Sequence, residues 1–177
     1  MGKLVIEDDC LAPRAYYQIV YKGPDPLKAY RAMKGILRRV FLVVTKDIWE
    51  REFRWMPDSD PAEFFIRVFV TKDMDRFTFV RAEVVLHGWQ PLTPGKSGGM
   101  RIKIGGILRT ELPEDTFIQK TPIYKALMWL YFHYFYFKVR REVFLKRCRE
   151  WLSEVRDTVM DLLGLPKPME EAHERGV

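Results

Sequence analysis

The chain of 177 residues contains no asparagine and only three glutamines, Gln18, Gln90 and Gln119, beside abundant lysine, arginine and glutamate. Scarce thermolabile amides and plentiful ions are the bias of hyperthermophile proteins. A hot source is therefore expected, which bears on stability and not on function. Cysteine is almost as rare. Cys10 and Cys148 stand at no metal or redox spacing, and they read as buried thiols of a reducing compartment, acting as small hydrophobes. No stretch reaches the ~17–25 apolar residues of a bilayer span, because Lys125 and Lys138 bracket the most apolar run. No apolar leader precedes Glu7-Asp8-Asp9, so the chain reads as cytoplasmic.

Catalytic signatures are missing too. Ser59 and Ser97 fall in turn-like stretches and Ser153 on a helix face, none in a nucleophile context. His87, His133 and His173 share no ligand spacing with one another or with the cysteines. The pairs Asp58/Asp60 and Asp73/Asp75 lie in turns, where carboxylates cap backbone N–H groups. Pro94-Gly95-Lys96-Ser97 lacks the upstream glycine of a phosphate-binding loop, since Gln90 stands there. No catalytic residue, metal ligand or cofactor is assigned.

What remains is a basic, globular chain. An apolar fraction of 47% with 31% charged residues excludes a disordered chain. The net charge of +6 raises the question of a polyanionic partner. Residues 1–164 read as one α+β domain with a lead-in over 1–14, and 165–177 as a polar, flexible tail. A strand is expected at Leu4–Glu7 and another at Ala15–Tyr21, closed by Lys22-Gly23-Pro24. Asp25-Pro26 then starts a helix in which Leu27, Tyr30, Met33, Leu37, Val40 and Phe41 keep helical spacing.

The period then changes to two. Trp49, Phe53 and Trp55 share a face with Arg51; Phe64, Ile66, Val68 and Val70 form the next, and Thr78–Leu86 and Met100–Leu112 complete an antiparallel meander. Gly105-Gly106 in mid-strand points to a bulge or bend. The outward faces carry Arg67, Arg81, Arg101, Lys103 and Arg109 among Phe65, Phe69, Phe77 and Phe79. Finally a long helix is expected from Thr121 to Gly164. Ile123, Leu127, Leu130, Tyr134, Phe137, Leu145, Cys148, Leu152, Val155, Val159 and Leu162 make one stripe, broken only by Arg141. Trp129, Phe132 and Tyr136 make its opposite side apolar as well, so something must cover that back.

This order of elements, from about Tyr16 to Leu163, resembles the START-like helix-grip superfamily of polyketide cyclases, plant allergens and lipid-transfer proteins. One helix at Asp25–Phe41 stands where that family has a pair of short ones. The resemblance implies a curled antiparallel β-sheet wrapped around a long C-terminal helix, with an apolar or amphipathic small molecule between them. Trp49, Phe53, Trp55 and Tyr134 would wall that site, and Arg51 or Arg141 would anchor the ligand's acidic group, with no catalysis assigned. Two other readings stand beside it. The helix back at Trp129, Phe132 and Tyr136 is an interface, with a homodimer favoured over a membrane surface. Alternatively, the basic strand face binds nucleic acid.

Overall fold

The computed structural model describes residues 2–58, 60–93, 96–114, 121–131, 134 and 136–167. Phe132, His133, His173, Ser59, Pro94 and Gly95 lie outside the described residues. Six strands, β1 (Gly2–Asp9), β2 (Tyr17–Gly23), β3 (Ile48–Met56), β4 (Ala62–Asp73), β5 (Thr78–Gln90) and β6 (Gly98–Glu114), form one antiparallel sheet. The helices are α1 (Lys28–Phe41), α2 (Pro122–Tyr131), α3 (Phe137–Val139) and α4 (Lys146–Leu163), with a π turn over Arg140–Leu145 joining the last two. This is the α+β arrangement expected, a sheet with a long C-terminal helix.

The β3–β6 meander follows from period-2 sequence and short loops. β1 and β2 then lie end to end along the far side of β6: β2 pairs with 98–104 and β1 with 107–114. The expected bulge at Gly105-Gly106 is absent, since β5–β6 pairing runs through Glu83↔Gly105 and Ala82↔Gly106 without a shift. The two glycines instead mark the exchange from β2 to β1. A Cβ on Gly106 would stand 3.1 Å from Leu152 Cδ1, so this position lets α4 approach the sheet closely.

Alternate residues of β4, β5 and β6, among them Phe64, Ile66, Val84, Leu86, Ile102 and Ile104, are buried against Met33, Leu37 and Phe41 of α1 and Leu152, Val155 and Val159 of α4. Each such side chain contributes roughly 1.5–3 kcal/mol of burial. They fill the layer between the sheet and the helices. α1 starts at Lys28 rather than at Asp25, which is left-handed (φ 51°) and offers its carbonyl to the Lys28 N–H at 3.1 Å.

Packing density makes Gly88 a sharp test. A Cβ there would lie 2.3 Å from the Gly99 carbonyl oxygen, so strand β6 itself would have to move. Gly88→Ala is expected to lower stability by about 1–3 kcal/mol, read as a lower urea midpoint. Gly35→Ala, with nothing near its Cβ and an exposed helical site, should raise the midpoint instead, by up to about 1 kcal/mol.

Cys10 and Cys148 form a disulfide, with Cα atoms 5.9 Å apart, which corrects their reading as separate thiols. The fold brings together two residues 138 positions apart, and sequence spacing carries no trace of that. Cys10 is held beside the sheet by its N–H, which donates to the Gly106 carbonyl at 2.9 Å.

The long-helix stripe needs a second correction. Backbone angles at Arg140 and Lys146 stay right-handed helical, so α3, the π turn and α4 run on without a break. Inward-facing positions are Tyr136, Arg140, Phe144, Cys148 and Leu152, one in every four. A π turn widens the helix and slips its phase relative to a 3.6 period. Arg140 therefore turns inward, where the uniform period had placed Arg141. Downstream, Val155 and Val159 are buried as expected, and Gly164 (φ 68°) ends the helix. Upstream, Ile123, Leu127, Leu130 and Tyr134 are 73, 61, 48 and 66% exposed, so the gripped part of the helix begins only near Tyr136.

Candidate functional site

Thr78, Thr110 and Arg140 are the buried polar side chains of the described residues, and they belong to one network. Arg140 Nε donates to Thr110 Oγ1 at 2.9 Å, and its terminal nitrogens donate to the carbonyls of Ile6 (3.1 Å) and Leu108 (3.0 Å) and to the Asp8 carboxylate. Thr110 and Thr78 hydroxyls meet at 2.8 Å, Thr78 meets the Tyr136 phenol, and Tyr136 donates to Asp75 Oδ2 at 2.6 Å. Because Asp75 only accepts and Arg140 only donates, every hydroxyl proton points one way, from Arg140 through Thr110, Thr78 and Tyr136 to Asp75. Asp75 is the turn cap that its position promised, since Oδ1 accepts the N–H of Phe77 and Thr78, each at 2.8 Å.

Burial, helped by the bond to Asp75, pushes the Tyr136 phenol up to about 12. The neutral form is thus favoured by folding. That contribution is complete below pH 10, where the free phenol begins to ionise, and is lost as pH rises through about 12. Tyr136 was expected on the outward back of the helix; its phenol is turned inward and clamps the helix to the β4–β5 turn.

A cleft opens at each end of this network. One, of about 440 Å³, is lined by Asp73, Asp75, Arg76, Phe77, Thr78, Phe79 and Glu111. The other, of about 400 Å³, lies between β1 and the helix and is lined by Asp8, Asp9, Ala12, Phe137, Arg140, Arg141, Leu145 and Arg149. The second contains Arg141, one of the two arginines singled out by the sequence. Its carboxylates are engaged: Asp8 takes Arg140, and Asp9 Oδ1 accepts the Leu11 N–H at 2.8 Å. Arg149 Nε donates to the Cys10 carbonyl at 3.2 Å. Among the described residues neither Arg141 nor Arg149 is paired with a carboxylate, so two positive charges stand beside the apolar sides of Phe137, Leu145 and Ala12.

The aromatic wall expected on β3 lies elsewhere. A bulge between Glu50 and Glu52 leaves Arg51 as the extra residue. Trp49 consequently pairs with outward Phe69, while Phe53 and Trp55 pair with inward Ile66 and Phe64. The four residues do not share a face. Arg51 stacks over Phe69 (5.9 Å), Phe53 packs on Tyr30 (5.6 Å) and Trp55 on Phe64 (6.3 Å). Burial, then the 2.7 Å bond to Glu50, raises Tyr30 to about 12. β3 and β1 are opposite edges of the sheet, so the structure does not bring these residues together with Arg141.

On the outer face, Arg54 and Arg67 lie over Phe65, Arg81 over Phe79 and Arg76 over Phe77. Arg67 pairs with Glu83 at 3.1 Å, and Arg109 with Glu7 and Glu111, both at 2.8 Å. Guanidiniums of the chain itself thus occupy the ring faces that stacked bases would need. Among the described residues no cluster of His, Cys, Asp and Glu could hold a metal ion. Among those residues, too, no helix is long and apolar enough to cross a membrane.

No family model and no curated protein matches this chain. Among solved structures it is similar to a Staphylococcus aureus protein of unknown function, at 9% identity over 80% of this chain and 96% of that one, with a TM-score of 0.21. That likeness carries no argument about fold or function.

Proposed function

We propose that this is a non-catalytic binding protein that takes an amphipathic ligand with an acidic head in the cleft between β1 and the π turn. The observation that carries the reading is the charge balance there: among the described residues Arg141 and Arg149 meet no carboxylate, beside the apolar surface of Phe137, Leu145 and Ala12. A guanidinium offers a planar fork suited to carboxylate or phosphate oxygens. The helix-grip resemblance supports an apolar or amphipathic small molecule. Side chains fill the layer that this family leaves for its ligand, which moves the proposed site to the outer flank of the helix. Trp49, Phe53, Trp55 and Tyr134 have no part in it. The Cys10–Cys148 bridge is compatible with a hyperthermophile cytoplasm, the exception to the rule that disulfides mark oxidising compartments.

Dodecanoate, dodecyl phosphate and uncharged dodecanol are suitable probes in calorimetric titrations. The two anions should bind and the alcohol should not, and Arg141→Ala should weaken anion binding about tenfold, the worth of one charge-assisted hydrogen bond. Equal binding of dodecanol, or an Arg141→Ala variant that binds as well as the parent chain, would overturn the reading.

A further inference from the structure

Between α1 and β3 the chain leaves the helix through Leu42-Val43-Val44. Leu42 ends α1 in the left-handed region (φ 51°, ψ 51°), which glycine adopts at no steric cost and leucine only under strain. Its side chain gains nothing from the core in return, because it is 72% exposed. Val44 is 55% exposed, while Val43 between them packs on the core and holds the turn in place. Neither backbone preference nor packing therefore accounts for a leucine here. Arg38 and Arg39 stand four and three residues back on the same helix, and Lys46 two residues beyond Val44, all exposed. Lys72 adds a fourth cation, its Nζ donating to the Leu42 carbonyl at 3.2 Å. We propose that this corner docks the protein on an anionic lipid surface. Leu42 and Val44 enter the apolar boundary, and the four cations meet headgroup phosphates.

Charge complementarity selects the partner. Among the described residues none of the four cations pairs with a carboxylate. The acidic groups nearby are Asp47, half-buried in the turn Thr45–Asp47, and Glu50, which Tyr30 (2.7 Å) and Lys34 (3.5 Å) already engage. Asp73 follows Lys72, but strand alternation sets it on the other face of the sheet. Arg38 and Arg39 also complement the C-terminal end of the α1 dipole. Lys46 and Lys72 lie beyond that turn, so the dipole does not explain them. Each Lys or Arg near an anionic leaflet strengthens binding about fivefold. Nucleic acid would use the same cations but leave Leu42 and Val44 in water. A folded protein needs about 800 Å² of matching surface on each side, and two aliphatic side chains fall far short of that. A lipid boundary is fluid and admits a small apolar tip to a depth of ~5–10 Å without a fitted pocket.

The inference does not rest on the ligand cleft. Co-sedimentation of the full chain with phosphatidylglycerol–phosphatidylcholine vesicles is expected, with at least about tenfold weaker binding to pure phosphatidylcholine. Leu42→Gly should weaken binding to the anionic vesicles about tenfold, with unchanged dodecanoate affinity. Its melting temperature should stay level or rise, because the strain at φ 51° is relieved. Arg38→Gln/Arg39→Gln should weaken vesicle binding about 25-fold. Arg101→Gln/Lys103→Gln removes the same charge from the outer sheet face and should bind within about threefold of the parent chain. Equal loss from the two double substitutions would mean unspecific attraction of a chain of net charge +6, and would overturn the proposal. So would the absence of vesicle binding, equal binding to pure phosphatidylcholine, or binding that survives Leu42→Gly. Binding abolished by Leu127→Glu would belong to α2, and binding abolished by Arg141→Ala to the ligand cleft; either result would overturn it as well.

Discussion

Replacing Cys10 and Cys148 together by serine is expected to lower the melting temperature by about 10–20 °C, the largest effect of any change considered. The bridge closes a loop of sequence separation 138. In the chain-entropy account such a loop restricts the unfolded chain by about 5 kcal/mol, at the top of the measured range. For a domain of this size each kcal/mol corresponds to roughly 2–4 °C. Scanning calorimetry of the parent chain with and without a reductant reports the same quantity without a substitution. A shift under about 3 °C in both experiments would mean that the bridge is dispensable to the fold.

Arg140→Met should cost about 3 kcal/mol, or roughly 6–12 °C. Methionine fills much of the volume but leaves Thr110 and the carbonyls of Ile6 and Leu108 without their donor in a site 1% exposed. The Asp8 carboxylate suffers less, because its side chain is 42% exposed and water can replace the guanidinium. Arg140→Lys should not restore the loss, since one ammonium cannot serve four acceptors in different directions. The disulfide and the arginine both tie the helix to the end of β1 and the residue that follows it, through Asp8 and Cys10, so their losses should not add. A calorimetric melting point for Arg140→Met within 2 °C of the parent would show the network to be incidental.

The meander was legible because β4, β5 and β6 keep strict alternation, and strict alternation is what one buried sheet face requires. Two departures were not legible, and they share a physical form. At Arg51 one extra strand residue flips the faces of Trp49 and Phe53, and over Arg140–Leu145 a wider turn exchanges Arg141 for Arg140. Each is a slip of one position in a periodic pattern, decided by tertiary packing that the local sequence does not encode. Arg141 was singled out for interrupting an apolar stripe, and it does line a cleft. The buried arginine, however, is its neighbour. The Cys10–Cys148 bridge and the Asp75–Tyr136 bond join residues far apart in sequence, so no window of residues could contain them. The apolar composition of α2 was legible, but its place was not: the stripe through Ile123, Leu127, Leu130 and Tyr134 was expected against the sheet and is exposed.

The placement of β1 sets an order on how the molecule can be assembled. Neighbours in the β3–β6 meander are close in sequence, so their pairings close short loops and can form early. β1 leaves the ribosome before the other strands of the sheet, yet its partner is residues 107–114. About 100 residues must be synthesised before Gly2–Asp9 has an edge to pair with, and closing so long a loop carries a higher entropic cost than any hairpin of the meander. During synthesis the N-terminal strand therefore waits while the sheet it will join is built behind it, and its docking is a late step.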